Sequence, residues 1–238
     1  MLNVLLSKVS IIKNSERIIL KDIIFELERG NIYTILGKNG TGKTTLLKSL
    51  TGLLDKRIYS VKGKVLYESK DLLSLEADEL QKIRKNEIKY VFQDPVNSFD
   101  HLKTFSYYFS LVTKDQEEIN RLLDFFLLPE AKKLFKMYPY EVSGGMAQRI
   151  SFILALLAKP KIILLDEPTS GIDAPIVNLL LIKLKEFVGD GNLALMVTQD
   201  LDLARNASSK IALLSDCTLS PLSSPEEFFH LNNIGTQV

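Results

Sequence analysis

Gly37-Lys38-Asn39-Gly40-Thr41-Gly42-Lys43-Thr44 decides the fold: it fits G-x-x-x-x-G-K-[ST], the P-loop pattern. Its flanks agree. The short run at 31–36, Asn-Ile-Tyr-Thr-Ile-Leu, is mostly apolar with β-branched residues and reads as a buried strand. Beyond Thr44, apolar residues at Leu46, Leu47, Leu50, Leu53 and Leu54 have helical spacing, which predicts a helix over 44–54. The glycines therefore sit on a strand-to-helix turn. There, backbone N–H groups can surround phosphate oxygens, and the helix N-terminus adds partial positive charge. The pattern gives Lys43 the β and γ phosphates and the Thr44 hydroxyl a Mg²⁺ ion, with Gly37, Lys38, Asn39, Gly40, Thr41, Gly42 and Thr45 completing the cradle. A glycine turn that binds nothing is the plain alternative, and it leaves the whole pattern to chance.

The composition is that of an ordinary globular chain: 238 residues, 46% hydrophobic and 25% charged. This length suits one sizeable core with a subdomain. A net charge of +1 supplies no strong field towards nucleic acid or anionic lipid. One cysteine, Cys217, excludes an intrachain disulfide and suits a reducing cytosol. No apolar run approaches the roughly 18 residues that cross a bilayer, and the N-terminus lacks the regions of a signal peptide. The expectation is a soluble protein whose membrane contact is made through a partner.

Residues 2–9 and 18–28 read as antiparallel strands joined by a polar turn over 13–17. Further strands are expected at 63–67, 88–92, 161–165, 193–198 and 211–214, with helices over 72–84, starting near Ser74, and 174–188. The stretch 102–157 reads as mostly helical, with a break near Tyr138-Pro139. Strands alternating with helices predict an α/β fold with a mainly parallel sheet, whose ligands bind beyond the strand C-termini. Gln93, Asp166, Glu167 and Gln199 all fall at such ends, as the P-loop does.

Asp166-Glu167 could be solvated acids that cap the next turn. After an apolar strand in a P-loop protein, the Asp is instead a Mg²⁺-site residue, and the next acid can orient or deprotonate an attacking water. Ser143-Gly144-Gly145 could be a plain turn and helix cap; functionally, glycines at a helix start expose amides to an anion.

Together, the P-loop, Gln93, Val142-Ser143-Gly144-Gly145-Met146-Ala147-Gln148-Arg149, Ile162-Ile163-Leu164-Leu165-Asp166-Glu167-Pro168 and Ser170-Gly171-Ile172-Asp173 resemble the ATP-binding-cassette ATPases over nearly the whole chain. The resemblance implies one cassette over 1–238. Its core of RecA type would cover about 1–93 and 159–238, with an inserted helical subdomain at about 94–158. It implies ATP and Mg²⁺ as cofactors. Thr44, Gln93 and Asp166 would lie at the metal, and Lys43, Glu167 and Gln199 at the reaction. Ser143, Gly144 and Gly145 would meet the γ-phosphate held by a second cassette chain, the same or a different one, with Asp173 at the seam.

Tyr138-Pro139-Tyr140-Glu141-Val142-Ser143-Gly144-Gly145-Met146 and Val91-Phe92-Gln93-Asp94-Pro95 look like the nickel and peptide importer ATPases. That subgroup implies permease subunits, a solute-binding protein and a peripheral place on the cytoplasmic face of the cell membrane. The cargo would be peptides, nickel or a metal chelate. Three departures stand out. Gln199 replaces the family's usual histidine. No aromatic residue lies between Met1 and Ile24, where the family stacks adenine near Ile11. The subgroup's C-terminal histidine–proline–tyrosine motif does not follow Phe228-Phe229. A weakly hydrolysing regulatory cassette, or a cassette of an exporter or non-transport system, are the alternative readings.

Overall fold

A computed structural model describes residues 1–13 and 15–232. The chain begins with β1 (Leu2–Ile11) and β2 (Arg17–Leu27), paired antiparallel as expected. The turn read over 13–17 includes Asn14, which lies outside the described residues. These strands alternate, as a sheet with one covered face requires. Leu2, Val4, Leu6, Ile23, Phe25 and Leu27 are buried, while Leu5 and Ile24 are exposed.

β3 (Ile32–Leu36) is buried along its whole length. Then come α1 (Lys43–Leu50), β4 (Tyr59–Tyr67), β5 (Lys70–Asp71), α2 (Ala77–Asn86) and β6 (Ile88–Val91). The segment after β6 carries α3 (Pro95–Ser98), α4 (Phe105–Ser110), α5 (Gln116–Phe125), α6 (Ala131–Leu134), a 3-10 turn over Pro139–Glu141, and α7 (Gly144–Leu157). The chain closes with β7 (Ile162–Asp166), α8 (Ala174–Gly189), β8 (Leu193–Thr198), α9 (Leu201–Ala207), β9 (Lys210–Ser215), β10 (Thr218–Leu219) and α10 (Pro225–Leu231).

One sheet is antiparallel, in the order β2-β1-β4-β5, and the other runs β10-β9-β3-β8-β7-β6. In the second, only β10 is antiparallel to its neighbour. β6 and β7 pair directly, Ile88 opposite Ile162, although the helices α3 to α7 separate them in sequence. The parallel strands send alternate residues into two cores, as the period of a strand dictates. Tyr33, Ile35, Leu164, Leu195 and Val197 pack with the antiparallel sheet and with Leu46 and Leu47 of α1. Val91, Ile163, Leu165, Ala194 and Met196 pack with α7, α8 and the inserted helices, through Phe105, Phe109, Phe152 and Leu184.

Several expected boundaries move, each for a local reason. α1 stops at Leu50 because Gly52 turns left-handed at φ 61, with Gly52 N donating to Ser49 O and Leu53 N to Lys48 O. α2 starts at Ala77, not near Ser74, because the Asp71 carboxylate accepts from Val65 N and Leu73 N and holds a turn there. β4 reaches back to Tyr59 through Gly63, where a Cβ would lie 2.1 Å from Leu5 O opposite an irregularity in β1. Pro95 opens α3 under an Asp94 cap, whereas the sequence reading has it only closing a strand.

Candidate nucleotide-binding site

The strands that carry the expected site segments are consecutive in the sheet: β3, β8, β7 and β6. Their C-terminal ends deliver the P-loop, Gln199, Asp166 with Glu167, and Gln93 to one edge.

The P-loop is tight. A Cβ on Gly37 would lie 2.7 Å from Thr41 Oγ1 and 2.9 Å from Leu214 O, so only glycine fits. Gly40 and Gly42 have φ of 81 and 105, and Gly42 is the N-cap of α1. Lys38, Asn39 and Gly40 are exposed at the tip, while Thr41, Gly42, Thr44 and Thr45 are half-buried. The Lys43 ammonium is buried. It donates to Gly37 O at 2.8 Å and Lys38 O at 3.1 Å, and lies 3.1 Å from Glu167 Oε1. The lysine expected to meet phosphate and the acid expected to act on water thus form one ion pair, a contact that the sequence reading did not foresee.

Asp166 is 1% exposed. Its Oδ1 accepts from the Thr44 hydroxyl at 3.0 Å, and its Oδ2 from the Tyr90 hydroxyl at 2.8 Å. Burial pushes the Asp166 carboxyl up from its usual range, and these two hydrogen bonds pull it part of the way back. Burial and the Asp166 charge hold the Tyr90 phenol far above its ordinary value, so it is a donor at any working pH.

Glu167 takes a left-handed backbone, φ 47, which costs a non-glycine residue about 1–3 kcal/mol. The surroundings hold it there. Its N–H donates to Val197 O, and its Oε2 accepts from Thr198 Oγ1 at 3.1 Å and from Gln199 N at 3.3 Å. The Gln199 side chain is exposed.

A hydroxyl and a buried carboxylate, 3.0 Å apart beside the P-loop, are hard oxygen donors that suit Mg²⁺. Among the described residues no cluster of three or more His, Cys, Asp or Glu forms a closed metal cage.

A family model described as ABC transporter matches residues 20–170, more than half of the chain. The chain belongs to the ABC transporter family. This ABC chain is 32% identical over 219 residues to the oligopeptide transport ATP-binding protein OppD of Haemophilus influenzae, covering 88% of itself and 68% of that protein. It is 33% identical to the Escherichia coli OppD, covering 81% of itself and 60% of that protein. It therefore spans about two thirds or less of the length of these relatives. Among solved structures, an ATP-binding cassette in a dimeric, post-hydrolysis state bound to ADP and Pi superposes with a TM-score of 0.78. That cassette is 26% identical, and the match covers 94% of this chain and 99% of that one. The fold expected from the sequence is the ABC ATPase fold.

The ABC signature lies apart from this ion-pair cluster. Ser143 is the N-cap of α7, its Oγ accepting from Met146 N at 3.2 Å, and Ser143 and Gly144 are exposed. A Cβ on Gly145 would lie 3.3 Å from Gly171 O, so the signature touches the turn before Asp173 in the same chain. Among the described residues, no hydrogen bond or ion pair joins Ser143, Gly144 or Gly145 to Lys43, Asp166 or Glu167. Gln93 is likewise exposed, just before the Asp94 cap. Tyr90 and Thr198 are site residues that the sequence reading passed over. Thr198 carried a signal, being the polar end of an otherwise apolar strand; Tyr90 carried none.

Proposed function

We propose that this cassette binds ATP with Mg²⁺ and hydrolyses it to drive a peptide importer. The observation that carries the proposal is the convergence of the P-loop, Lys43, Glu167 and the Thr44–Asp166 pair on the C-terminal ends of adjacent strands. Lys43 exchanges its contact with Glu167 for the β and γ phosphates. Backbone amides at Gly40, Gly42 and Thr44 donate to the remaining phosphate oxygens, with Lys38, Asn39, Thr41 and Thr45 at the rim. Thr44, Asp166 and Gln93 would hold Mg²⁺, which would supply charge neutralisation for phosphoryl transfer. Glu167, held by Thr198 and the Gln199 amide, orients the water and accepts its proton.

The exposed signature fits a partner's nucleotide. Two chains placed head to tail would each complete the other's site with Ser143, Gly144 and Gly145, whose amides neutralise charge at the γ-phosphate. That a related cassette is dimeric with ADP and Pi bound supports pairing of two chains. Relatives named for oligopeptide transport favour peptides over nickel or a metal chelate. As ATP-binding proteins of transport, they also favour permease subunits as partners; a solute-binding protein is implied by the sequence resemblance alone. No helix among the described residues is long and apolar enough to cross a membrane, so this chain would attach peripherally, on the cytoplasmic face. The test is peptide uptake and phosphate release in vesicles that contain the assembled complex. Turnover without peptide uptake would reject the cargo, and no turnover would reject the ATPase.

Gln199 supports a second reading, a slow site beside a faster one in a heterodimer. Its side chain is exposed at the strand end where the family has a titratable histidine. A neutral amide donor makes a hydrogen bond about half as strong as a charged one. Gln199→His should then speed this site about tenfold, roughly 1.4 kcal/mol off the barrier. The measurement is phosphate release from the complex with the partner's catalytic acid removed. A loss of rate would show a loop built around glutamine.

A further inference from the structure

We propose that Tyr90 is a positioning residue for the metal: its hydroxyl fixes the Asp166 carboxylate so that Thr44 presents its lone pairs to Mg²⁺. The proposal rests on the reading of Thr44 and Asp166 as the Mg²⁺ site. β6 and β7 are neighbours, with Tyr90 opposite Leu164. Asp166 lies two residues beyond Leu164, on the same sheet face. The Tyr90 ring packs on Phe92, 4.5 Å between centroids, and extends along that face until its hydroxyl meets Asp166 Oδ2 at 2.8 Å.

The chemistry of the carboxylate gives this bond a role. An ionised carboxylate accepts at about four lone-pair positions. Thr44 takes one on Oδ1 and Tyr90 one on Oδ2, which leaves one on each oxygen for metal-bound water. The terminal torsion of an Asp side chain is broad and nearly two-fold, so an unheld carboxylate can turn. Thr44 has a single hydroxyl proton. While that proton is spent on Oδ1, both oxygen lone pairs point away from Asp166 and are free to ligate. If the carboxylate turns, the threonine loses its orientation too. Groups that orient ligands in this way typically contribute 10–100-fold to metal affinity.

The competing account makes Tyr90 a core aromatic that only satisfies its own hydroxyl. Tyr90→Phe separates the two, because the ring keeps its place and loses only the donor. Calorimetry on the whole chain would measure the affinity for a non-hydrolysable ATP analogue, once with excess Mg²⁺ and once with EDTA. The expected result is an EDTA affinity within about twofold of wild type, and a Mg²⁺-dependent gain smaller by about tenfold or more. Asp166→Asn should lose most of that gain. An undiminished gain in Tyr90→Phe would overturn the proposal even if the variant melts earlier. So would an equal loss with and without metal, which is the mark of a packing defect. A wild-type chain with no Mg²⁺-dependent gain would overturn the metal reading itself, and this inference with it.

Discussion

Glu167→Gln should do more than stop the reaction: it should destabilise the nucleotide-free chain, and MgATP should remove the difference. The geometry gives the size. Glu167 Oε1 faces the Lys43 ammonium, and Oε2 accepts from the Thr198 hydroxyl and the Gln199 N–H. A glutamine has one carbonyl oxygen and one NH₂ to serve both sides. With its oxygen towards Lys43, the bond there loses its anionic partner, while the Gln199 N–H meets a donor and goes unpaired. The Thr198 oxygen already accepts from Asp200 N, which limits how far it can adapt. Losing the anionic half of the ion pair costs about 1 kcal/mol, and an unpaired N–H costs about 1–3 kcal/mol. The sum is about 3 kcal/mol, which for a chain of this length lowers Tm by roughly 6–12 °C. Bound MgATP supplies phosphate to Lys43, which frees the glutamine to turn its oxygen to the Gln199 N–H, and so removes the larger part of that difference. Its affinity should equal or exceed wild type, because the neutral amide no longer repels the γ-phosphate. Phosphate release should fall by about 10²–10⁴ as the base is lost. An ATP-bound dimer should accumulate, visible by size-exclusion chromatography. Scanning calorimetry with and without MgATP reads the stability terms. Equal melting of both proteins without nucleotide, or a gap that MgATP leaves unchanged, would refute the pairing of Lys43 with Glu167. Wild-type turnover would refute Glu167 as the base.

Lys43→Ala should abolish tight MgATP binding in equilibrium titration, since Lys43 is the buried cation that donates into the P-loop carbonyls; unchanged affinity would sink the assignment. ATP and GTP should bind the isolated chain within roughly tenfold of each other, because ring stacking contributes about 1–3 kcal/mol per base and β1 offers no ring. A strong preference for ATP would point to a ring from elsewhere, and half-buried Tyr59, which pairs with Ile11 across β1 and β4, would be the first to mutate.

What could be read from the sequence, and what could not, divides by the range of the interaction. β8 is legible to the residue and β3 to within one, because a strand buried on both faces is a short apolar run with sharp polar ends. The P-loop was legible because each glycine answers a local need: Gly37 has no room for a Cβ, and Gly40 and Gly42 have positive φ. The helix ends were partly legible. Gly52 is a stop signal inside an otherwise periodic run, and Ser224-Pro225 with Glu227 is a capping box that opens α10. The contacts that define the site were not legible at all. Tyr90 and Asp166 are 76 residues apart in sequence, and they meet only because β6 and β7 pair across the inserted helices. Lys43 opens α1 and Glu167 follows β7, and the sequence reading has each facing a ligand; burial instead gives each the other as its counter-charge. The left-handed backbone of Glu167 is also invisible in the sequence, since no local rule asks an acid to adopt it. It is held by the Val197 carbonyl, the Thr198 hydroxyl and the Gln199 amide, all at the end of the neighbouring strand. The strained acid and the backbone at Gln199 are therefore one mechanical unit: a side-chain substitution at Gln199 keeps the N–H that holds Glu167, and only proline would remove it.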